Sequence, residues 1–184
     1  MHFRSVIAAV PFLGLATASP VATARSPAGC SKASFKGFEW TVQDFDFHAS
    51  YIFSTPAHQN SWGYAFFDLV NPAEQTITHC EGSSSQLSDF FYGTVSYKCD
   101  DKTSFTFNRP TGELTLSQTW TCDDADPKYP TTFTAYGATN FTLTCEEATY
   151  QNPDWQIGEI YSSRTITCEK QDKTVKPSQL SAVA

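Results

Sequence analysis

The chain has 184 residues, six cysteines and a formal net charge of −7. A length in this range favours a single domain that is large enough to bury its own hydrophobic core. Acidic side chains outnumber Lys and Arg by 19 to 12. The chain therefore lacks the cations that displace counterions from a phosphate backbone, and we expect neither nucleic acid nor an anionic membrane as a partner.

The first 29 residues have the composition of a targeting segment followed by a leader. A short basic start precedes an apolar run, and small residues at positions 16–18 provide a cleavage site. This is the pattern of a secretory signal peptide, which we assign to residues 1–18. Residues 19–29 are mostly Pro, Ala, Ser and Thr, and we expect a disordered leader there. The mature protein is therefore predicted to be secreted and extracellular.

From residue 38 onward the sequence alternates apolar with polar residues, which is the period of a half-buried β-strand. The clearest case is Glu113–Cys122, where Leu114, Leu116 and Trp120 share one parity and threonines fill most of the other. Similar runs occur at 38–42, 45–53, 62–70, 76–80, 95–99, 105–107, 133–137, 140–145 and 160–168. Loops that contain Pro, Gly or Asn separate several of them.

No segment shows sustained helical periodicity. Short strands joined by turn signals predict an all-β protein, with a single compact antiparallel β-barrel or sandwich over residues 30–168, stapled by disulfides. Residues 169–184 are largely polar, and we expect a disordered tail there.

All six cysteines fall in the predicted mature chain, at Cys30, Cys80, Cys99, Cys122, Cys145 and Cys168. An even number of cysteines behind a signal peptide indicates a disulfide framework. Their spacing does not select one connectivity from the many that six cysteines allow. The chain contains no Cys-x-x-Cys pair, so the sequence predicts no zinc site.

The sequence predicts no catalytic, cofactor-binding or metal-binding residues. It lacks the nucleophile elbow of lipases, the His-Glu-x-x-His motif of zinc proteases and a glycine-rich phosphate loop. The histidines His48, His58 and His79 are scattered along the chain. A glycosidase needs two carboxyl groups roughly 5–10 Å apart, a separation that a sequence does not give. The carboxylates considered for such a pair are Asp44, Asp46, Asp68, Glu113, Glu146, Glu147 and Glu159.

Aromatic residues are the unusual feature of the composition, with 4 Trp, 8 Tyr and 15 Phe. Most are expected in the core, because strands favour aromatic side chains. Trp62, Tyr92 and Trp155 fall in or beside predicted loops, and exposed aromatics next to polar groups mark binding surfaces. These three residues are our candidates for ligand contact. Asn140-Phe-Thr142 is an N-glycosylation acceptor, and Asn140 has the outward parity of its strand.

The order of these motifs resembles a secreted fungal family, typified by the major allergen of Alternaria. The resemblance rests on Cys30, on Trp40-x-Val42-x-x-Phe45, and on Cys80 and Cys99 with an aromatic-rich segment between them. Phe105-x-Phe107, Leu114-x-Leu116-x-Gln118 and the later cysteines follow in the same order, so that residues 30–168 are covered.

This resemblance implies a compact antiparallel β-barrel that is secreted by a fungus and has no established catalytic activity. It implies a disulfide between Cys80 and Cys99. The family's earliest cysteine, which corresponds to Cys30, can join two subunits, so a homodimer is among the expected partners. The present chain departs from the family in having an even six cysteines, with Cys122 as the apparent addition. Cys30 then has a candidate partner within its own chain.

We therefore expect a non-catalytic secreted protein that acts at the fungus–host interface, as an effector, elicitor or allergen-like protein, by binding a host protein or ligand. The alternative is a secreted carbohydrate- or small-ligand-binding module, in which Trp62, Tyr92 or Trp155 stacks on the ligand. A secreted hydrolase is the third hypothesis. None of the three requires a cofactor.

Overall fold

The structure is a computed structural model that describes residues 26–85 and 90–184. Within that part of the chain, one short helix, α1 (Cys30–Phe35), is followed by eleven strands. They are β1 (Trp40–Thr55), β2 (His58–Asn71), β3 (Thr76–Ser84), β4 (Tyr97–Lys98), β5 (Thr103–Asn108), β6 (Glu113–Cys122), β7 (Thr131–Asn140), β8 (Cys145–Gln151), β9 (Ser162–Cys168), β10 (Gln171–Val175) and β11 (Pro177–Val183). They form two antiparallel sheets, and the predicted all-β class is confirmed.

The first sheet, sheet A, is organised around the long strand β1. Its order is β3-β2-β1-β9-β8, and β10 pairs with the first part of β1 while β9 pairs with the second part. Within the part that pairs with β10, at Asp44, the backbone takes a φ of 52° and the register shifts. Before this β-bulge the even-numbered residues of β1, such as Val42, are buried, and after it the odd-numbered residues, such as Phe45, are buried. It explains why the sequence pattern suggested two separate strands here.

The second sheet, sheet B, has the order β11-β7-β6-β5-β4. The alternation that predicted a strand at Glu113–Cys122 is observed in β6, whose Leu114, Leu116 and Trp120 are buried. The opposite face of the sheet carries threonines, and Thr119 and Thr134 hydrogen-bond to one another across the strands at 3.0 Å. Sheet B therefore has one buried apolar face and one polar face.

Aromatic rings fill the space between the two sheets. Phe45 of β1 packs against Phe107 of β5 with ring centroids 5.0 Å apart, and it stacks on Phe141 at 4.2 Å. Phe67 of β2 meets Phe105 of β5 edge to face at 5.0 Å. These contacts cross from sheet to sheet, so each sheet provides the apolar surface that buries the other.

Three disulfides cross-link the fold, and the described residues contain no free cysteine. Cys80 is bonded to Cys99, the pairing that the family resemblance implies. Cys145 is bonded to Cys168, its direct partner across β8 and β9. Cys30 is bonded to Cys122 and is 1% exposed. It is therefore not available, in this structure, to join two subunits through a disulfide.

The structure corrects the expectation of a disordered tail over residues 169–184. Residues 171–175 form β10 on the edge of β1, and residues 177–183 form β11 on the edge of β7. The tail looked disordered because it has few apolar residues, but an edge strand needs only backbone hydrogen bonds and an anchor. Val175, 1% exposed, provides that anchor beside Trp40.

The predicted signal peptide and residues 19–25 of the predicted leader lie outside the described residues. The last part of the leader, 26–29, is fastened to the loop after β6. The backbone N–H of Ser26 donates to Asp123 at 2.9 Å, and that of Gly29 donates to Asp124 at 3.1 Å. Order thus begins slightly before Cys30. In the two described ranges, no helix is long and apolar enough to cross a membrane.

Candidate binding surface

The outer face of sheet A carries a row of aromatic side chains along β2. Trp62, Tyr64 and Phe66 alternate with residues that are buried against the core. Successive side chains of a strand point to opposite faces, so these three rings all lie on the outer face. Trp62 is 46% exposed, while Tyr64 and Phe66 are half-buried. Of the three candidates from the sequence, Trp62 is the one that belongs to this row.

His48 completes the cluster from the neighbouring strand. It is paired with Tyr64 in the register of β1 and β2, and their rings stack with centroids 5.4 Å apart. Its ring lies 5.7 Å from that of Trp62, and Trp62 and Tyr64 stack at 5.9 Å. Thr167 of β9 is within hydrogen-bond distance of His48 Nδ1, at 3.2 Å. We name His48, Trp62 and Tyr64 the aromatic patch.

Gly63 allows the core to approach the back of this patch. A Cβ at Gly63 would lie 3.0 Å from the carbonyl oxygen of His48 and 3.1 Å from the ring of Phe90. Phe90 is fully buried and packs on Tyr51 at 5.2 Å. Phe90 therefore packs directly behind Gly63, the neighbour of Trp62 in β2.

Two carboxylates lie near the aromatic patch, one on each side of Phe66. Asp46 and Glu81 both pair with Phe66, from β1 and from β3 respectively. Burial raises the pKa of the Tyr64 hydroxyl, and the negative charges of Asp46 and Glu81 raise it further. The patch therefore combines near-parallel rings with a negative rim, which favours partners that offer apolar faces together with cationic groups or hydroxyls.

A histidine–carboxylate pair lies further along the same face. His79 Nδ1 is 2.5 Å from Asp68 Oδ1. This hydrogen bond, together with the charge of Asp68, raises the pKa of His79. Both groups are accessible to solvent, so the pair adds polarity to the face and contributes little to stability.

The other two sequence candidates lie elsewhere and do not join Trp62. Tyr92 is 39% exposed and is tied to β5 through its backbone, because Asn108 Nδ2 donates to its carbonyl oxygen at 3.0 Å. Trp155 is half-buried in the loop between β8 and β9. Its indole N–H donates to the carbonyl oxygen of Glu159 at 3.0 Å, and its ring packs edge to face on Tyr161. Trp155 therefore helps to shape its own loop.

Two of the carboxylates that the sequence offered for a hydrolase, Glu147 and Glu159, are engaged in structural contacts. Glu147 forms a two-point ion pair with Arg164, with contacts of 2.7 Å, and the hydrogen bond from Arg164 lowers its pKa. Glu159 accepts hydrogen bonds from Asn152 and from the backbone of Gln156. These interactions fix a surface strand and a loop.

One carboxyl that sequence reasoning missed is Glu74, in the turn between β2 and β3. Burial raises its pKa to about 7, with a smaller contribution from the charge of Asp101. It lies in a cleft of about 490 Å³ that Asp101 also lines. Gln118 Nε2 donates to Glu74 at 3.2 Å, and Gln118 Oε1 accepts from Trp40 Nε1 at 2.7 Å and from Asn71 Nδ2 at 3.0 Å. This network gives Glu74 a structural role.

The described residues contain one group of side chains with the spacing of a metal site, namely Cys30, Cys122 and Asp124. Two of its three members form a disulfide with one another. Their sulfurs are therefore not the thiolates that bind transition metals. Asp124 instead accepts hydrogen bonds from the backbone and hydroxyl of Ser31, which lower its pKa.

His48 and Tyr64 are the residues of the patch that the sequence analysis did not select. The signal for Tyr64 was present, because Trp62, Tyr64 and Phe66 share one parity and their neighbours share the other. The signal for His48 was not, because its place beside Trp62 depends on the register of β1 against β2. That register includes the bulge at Asp44.

Comparisons with known proteins give one family and two similar solved structures. The model of a family described as Alternaria alternata allergen 1 matches residues 42–168. A crystal structure of the Alternaria alternata major allergen Alt a 1 is similar at 13% identity and a TM-score of 0.39, covering 79% of this chain and 94% of that chain. A second Alt a 1 crystal structure is similar at 15% identity and a TM-score of 0.43, covering 80% and 90%. A comparison with curated proteins finds no match.

Proposed function

Because this chain belongs to the Alternaria alternata allergen 1 family, we propose that it is a non-catalytic extracellular protein. In this proposal it acts at the host interface by binding a host protein or ligand through the aromatic patch. The family is the premise for the compartment and for the absence of catalysis. Three disulfides in one domain support an oxidising, extracellular setting.

The observation that carries the binding role is the exposure of Trp62 within the aromatic patch. An indole that is 46% exposed, stacks on Tyr64 and lies beside His48 leaves apolar surface in water. Tryptophan is enriched among the residues that dominate binding energy, because it buries a large rigid surface at small cost in conformational entropy. The carboxylates Asp46 and Glu81, which flank Phe66 and act on Tyr64, would provide polar specificity at that end of the patch.

A second candidate function is the binding of a carbohydrate or another small polar ligand at the same place. It is favoured by near-parallel rings with neighbouring carboxylates and hydroxyls, since a sugar can stack on an aromatic face and hydrogen-bond to groups beside it. Asp46, Glu81 and Thr167 would supply those hydrogen bonds. The two candidates share the patch and differ in the chemistry of the partner.

The test compares Trp62→Ala with Tyr129→Ala, a change to a ring that is 61% exposed outside the patch. Both variants and the wild type are assayed for binding to immobilised host extracellular proteins and to a panel of plant and fungal glycans. We expect Trp62→Ala to weaken binding by about 2 kcal/mol or more, roughly thirtyfold, and Tyr129→Ala to leave it unchanged.

Each outcome has a distinct meaning. Trp62-dependent binding to a protein supports the first candidate, and Trp62-dependent binding to glycans alone supports the second. Binding that is equally sensitive, or insensitive, to both substitutions refutes the aromatic patch as the site. Turnover of a glycan or ester substrate that disappears with a single carboxylate substitution refutes a non-catalytic role.

A further inference from the structure

The charge on the outer face of sheet A is strongly one-sided. Register and alternation identify the outward positions of β2, β3, β8, β9 and the part of β1 that follows the bulge. Those positions hold no lysine and no arginine, and their carboxylates are Asp46, Asp68, Glu81 and Glu146. Arg164 has the opposite parity in β9 and is paired with Glu147. Protonated His79 would offset only its partner Asp68. The aromatic patch therefore lies in a negative field.

The rings and the charges of this face occupy opposite ends of one row along β2. Trp62 and Tyr64 stack at one end, while Asp46 and Glu81 flank Phe66 at the other. Phe66 follows Trp62 by four strand residues, which is roughly 13 Å. Neither the indole N–H of Trp62 nor the hydroxyl of Tyr64 hydrogen-bonds to another described residue. A complementary partner therefore offers apolar rings and hydrogen-bond acceptors at one end and a cation at the other.

The position of the row within the sheet restricts how a partner can bind. Strand addition needs an open edge, but β2 is paired with β1 on one side and with β3 on the other. An amphipathic helix needs an apolar groove, whereas this row is flanked by Asp46 on β1 and by Glu81 and Ser83 on β3. A polyproline II segment needs neither, because it docks rigid proline rings on aromatic side chains. Its carbonyls make no internal hydrogen bonds and are free to accept from the protein.

We infer that the aromatic patch binds a basic, proline-rich segment of an extracellular host protein in the polyproline II conformation. Prolines pack on Trp62 and Tyr64, whose N–H and O–H groups donate to carbonyls of the segment. A lysine or arginine of the segment reaches Asp46 and Glu81. At about 3.1 Å per residue, roughly four residues of the segment span the row from Trp62 to Phe66. This inference rests on the proposed function, because it names the chemistry of the partner at the same patch.

The test uses a fluorescent peptide of Lys-Pro-Pro repeats, whose binding is measured by anisotropy. Because polyproline II has three residues per turn, all its lysines lie on one edge and its prolines form the other two. Gln-Pro-Pro repeats remove the charge and keep the prolines, whereas Lys-Ala-Ala repeats keep the charge and remove the prolines. We expect each control peptide to bind at least about fivefold more weakly. Added salt should weaken the binding of Lys-Pro-Pro repeats more than that of Gln-Pro-Pro repeats.

Variants of the protein place the binding on the patch. Trp62→Ala should raise the Kd for Lys-Pro-Pro repeats at least about tenfold, and Trp62→Phe, which keeps a ring, should raise it less. Glu81→Gln should raise the Kd for Lys-Pro-Pro repeats at least about threefold and leave that for Gln-Pro-Pro repeats unchanged. Glu113→Gln is the matched control, because it removes the same charge from an exposed position of sheet B. It should change either Kd less than about twofold.

The outcomes separate this inference from the proposed function. Trp62-dependent binding to a host protein or a glycan, with no binding of Lys-Pro-Pro repeats at about 1 mM, overturns the inference and leaves the proposed function standing. Equal binding of Lys-Pro-Pro and Lys-Ala-Ala repeats overturns the inference, because charge alone then accounts for the affinity. Equal binding of Lys-Pro-Pro and Gln-Pro-Pro repeats, or binding that Trp62→Ala leaves unchanged, overturns it as well. The proposed function fails too if no protein, glycan or peptide binds in a way that depends on Trp62.

Discussion

Gln118 is a buried amide on which two other side chains depend, and its replacement by methionine should be strongly destabilising. Its Oε1 accepts hydrogen bonds from the indole of Trp40 and from the amide of Asn71, at 2.7 and 3.0 Å. All three residues are at most 1% exposed. Gln118→Met preserves the length of the side chain but removes the acceptor, so both donors would be buried without a partner.

The expected loss follows from those two donors. Leaving a buried donor unsatisfied costs about 1–3 kcal/mol, so two donors give about 2–6 kcal/mol. The volume change is small, so we add no cavity contribution. We therefore expect Gln118→Met to lower the free energy of unfolding by about 3 kcal/mol or more. That is a large fraction of the roughly 5–15 kcal/mol by which domains are stable.

Urea denaturation of the oxidised protein measures this loss. Gln179→Met, at an exposed position of β11, is the matched control and should change stability by less than about 0.5 kcal/mol. The double variant Trp40→Phe/Gln118→Met should lose less stability than the sum of the losses in the two single variants. The reason is that Trp40→Phe removes one of the two donors that Gln118→Met leaves without an acceptor. A loss below about 1 kcal/mol for Gln118→Met, or full additivity, would refute the network.

Two further predictions concern the turn after β2 and the C-terminal strands. Because the folded state raises the pKa of Glu74 from 4.5 to about 7, it binds a proton more tightly than the unfolded state does, so stability should fall as pH rises through that window. Glu74→Gln should make this loss of stability with rising pH smaller. The prediction would be contradicted if the unfolding midpoint changed between pH 4.5 and 8 by the same amount in Glu74→Gln and in the wild type. Truncation after Lys170 removes Val175 and uncovers Trp40, so it should lower the free energy of unfolding by at least about 3 kcal/mol. Truncation after Leu180 keeps Val175 and should lower it far less. Equal melting temperatures for the two truncated proteins would count against a structural role for the tail.

The strand pattern was readable from the sequence wherever a strand has one buried and one exposed face. In β6 every second residue is buried, and Trp120 is 2% exposed, as its parity predicts. Alternation of apolar and polar residues did not identify the buried face of β3, because Cys80 shares its parity with threonines. Thr78 is buried beside it, 1% exposed. A threonine can therefore occupy an inward position of a strand, and hydrophobicity alone does not mark it.

The candidate surface was only partly readable, for a physical reason. Trp62 could be selected because it is a large aromatic residue beside polar ones. Whether Trp62, Tyr92 and Trp155 share a surface depends on which strands are neighbours, and the structure places them on separate elements. His48 stacks beside Trp62 only because β1 and β2 pair in one particular register. Long-range pairing of this kind leaves no periodic trace in the sequence.

The sequence by itself determined the all-β class, the even set of cysteines and the strands that alternate, because side-chain period and composition are local properties of the chain. The tertiary structure decided the pairing of Cys30 with Cys122, the ordering of the tail as β10 and β11, and the assembly of the aromatic patch. Each of these depends on residues that are distant in sequence. Their free energy arises only when two sheets are in place to bring them together.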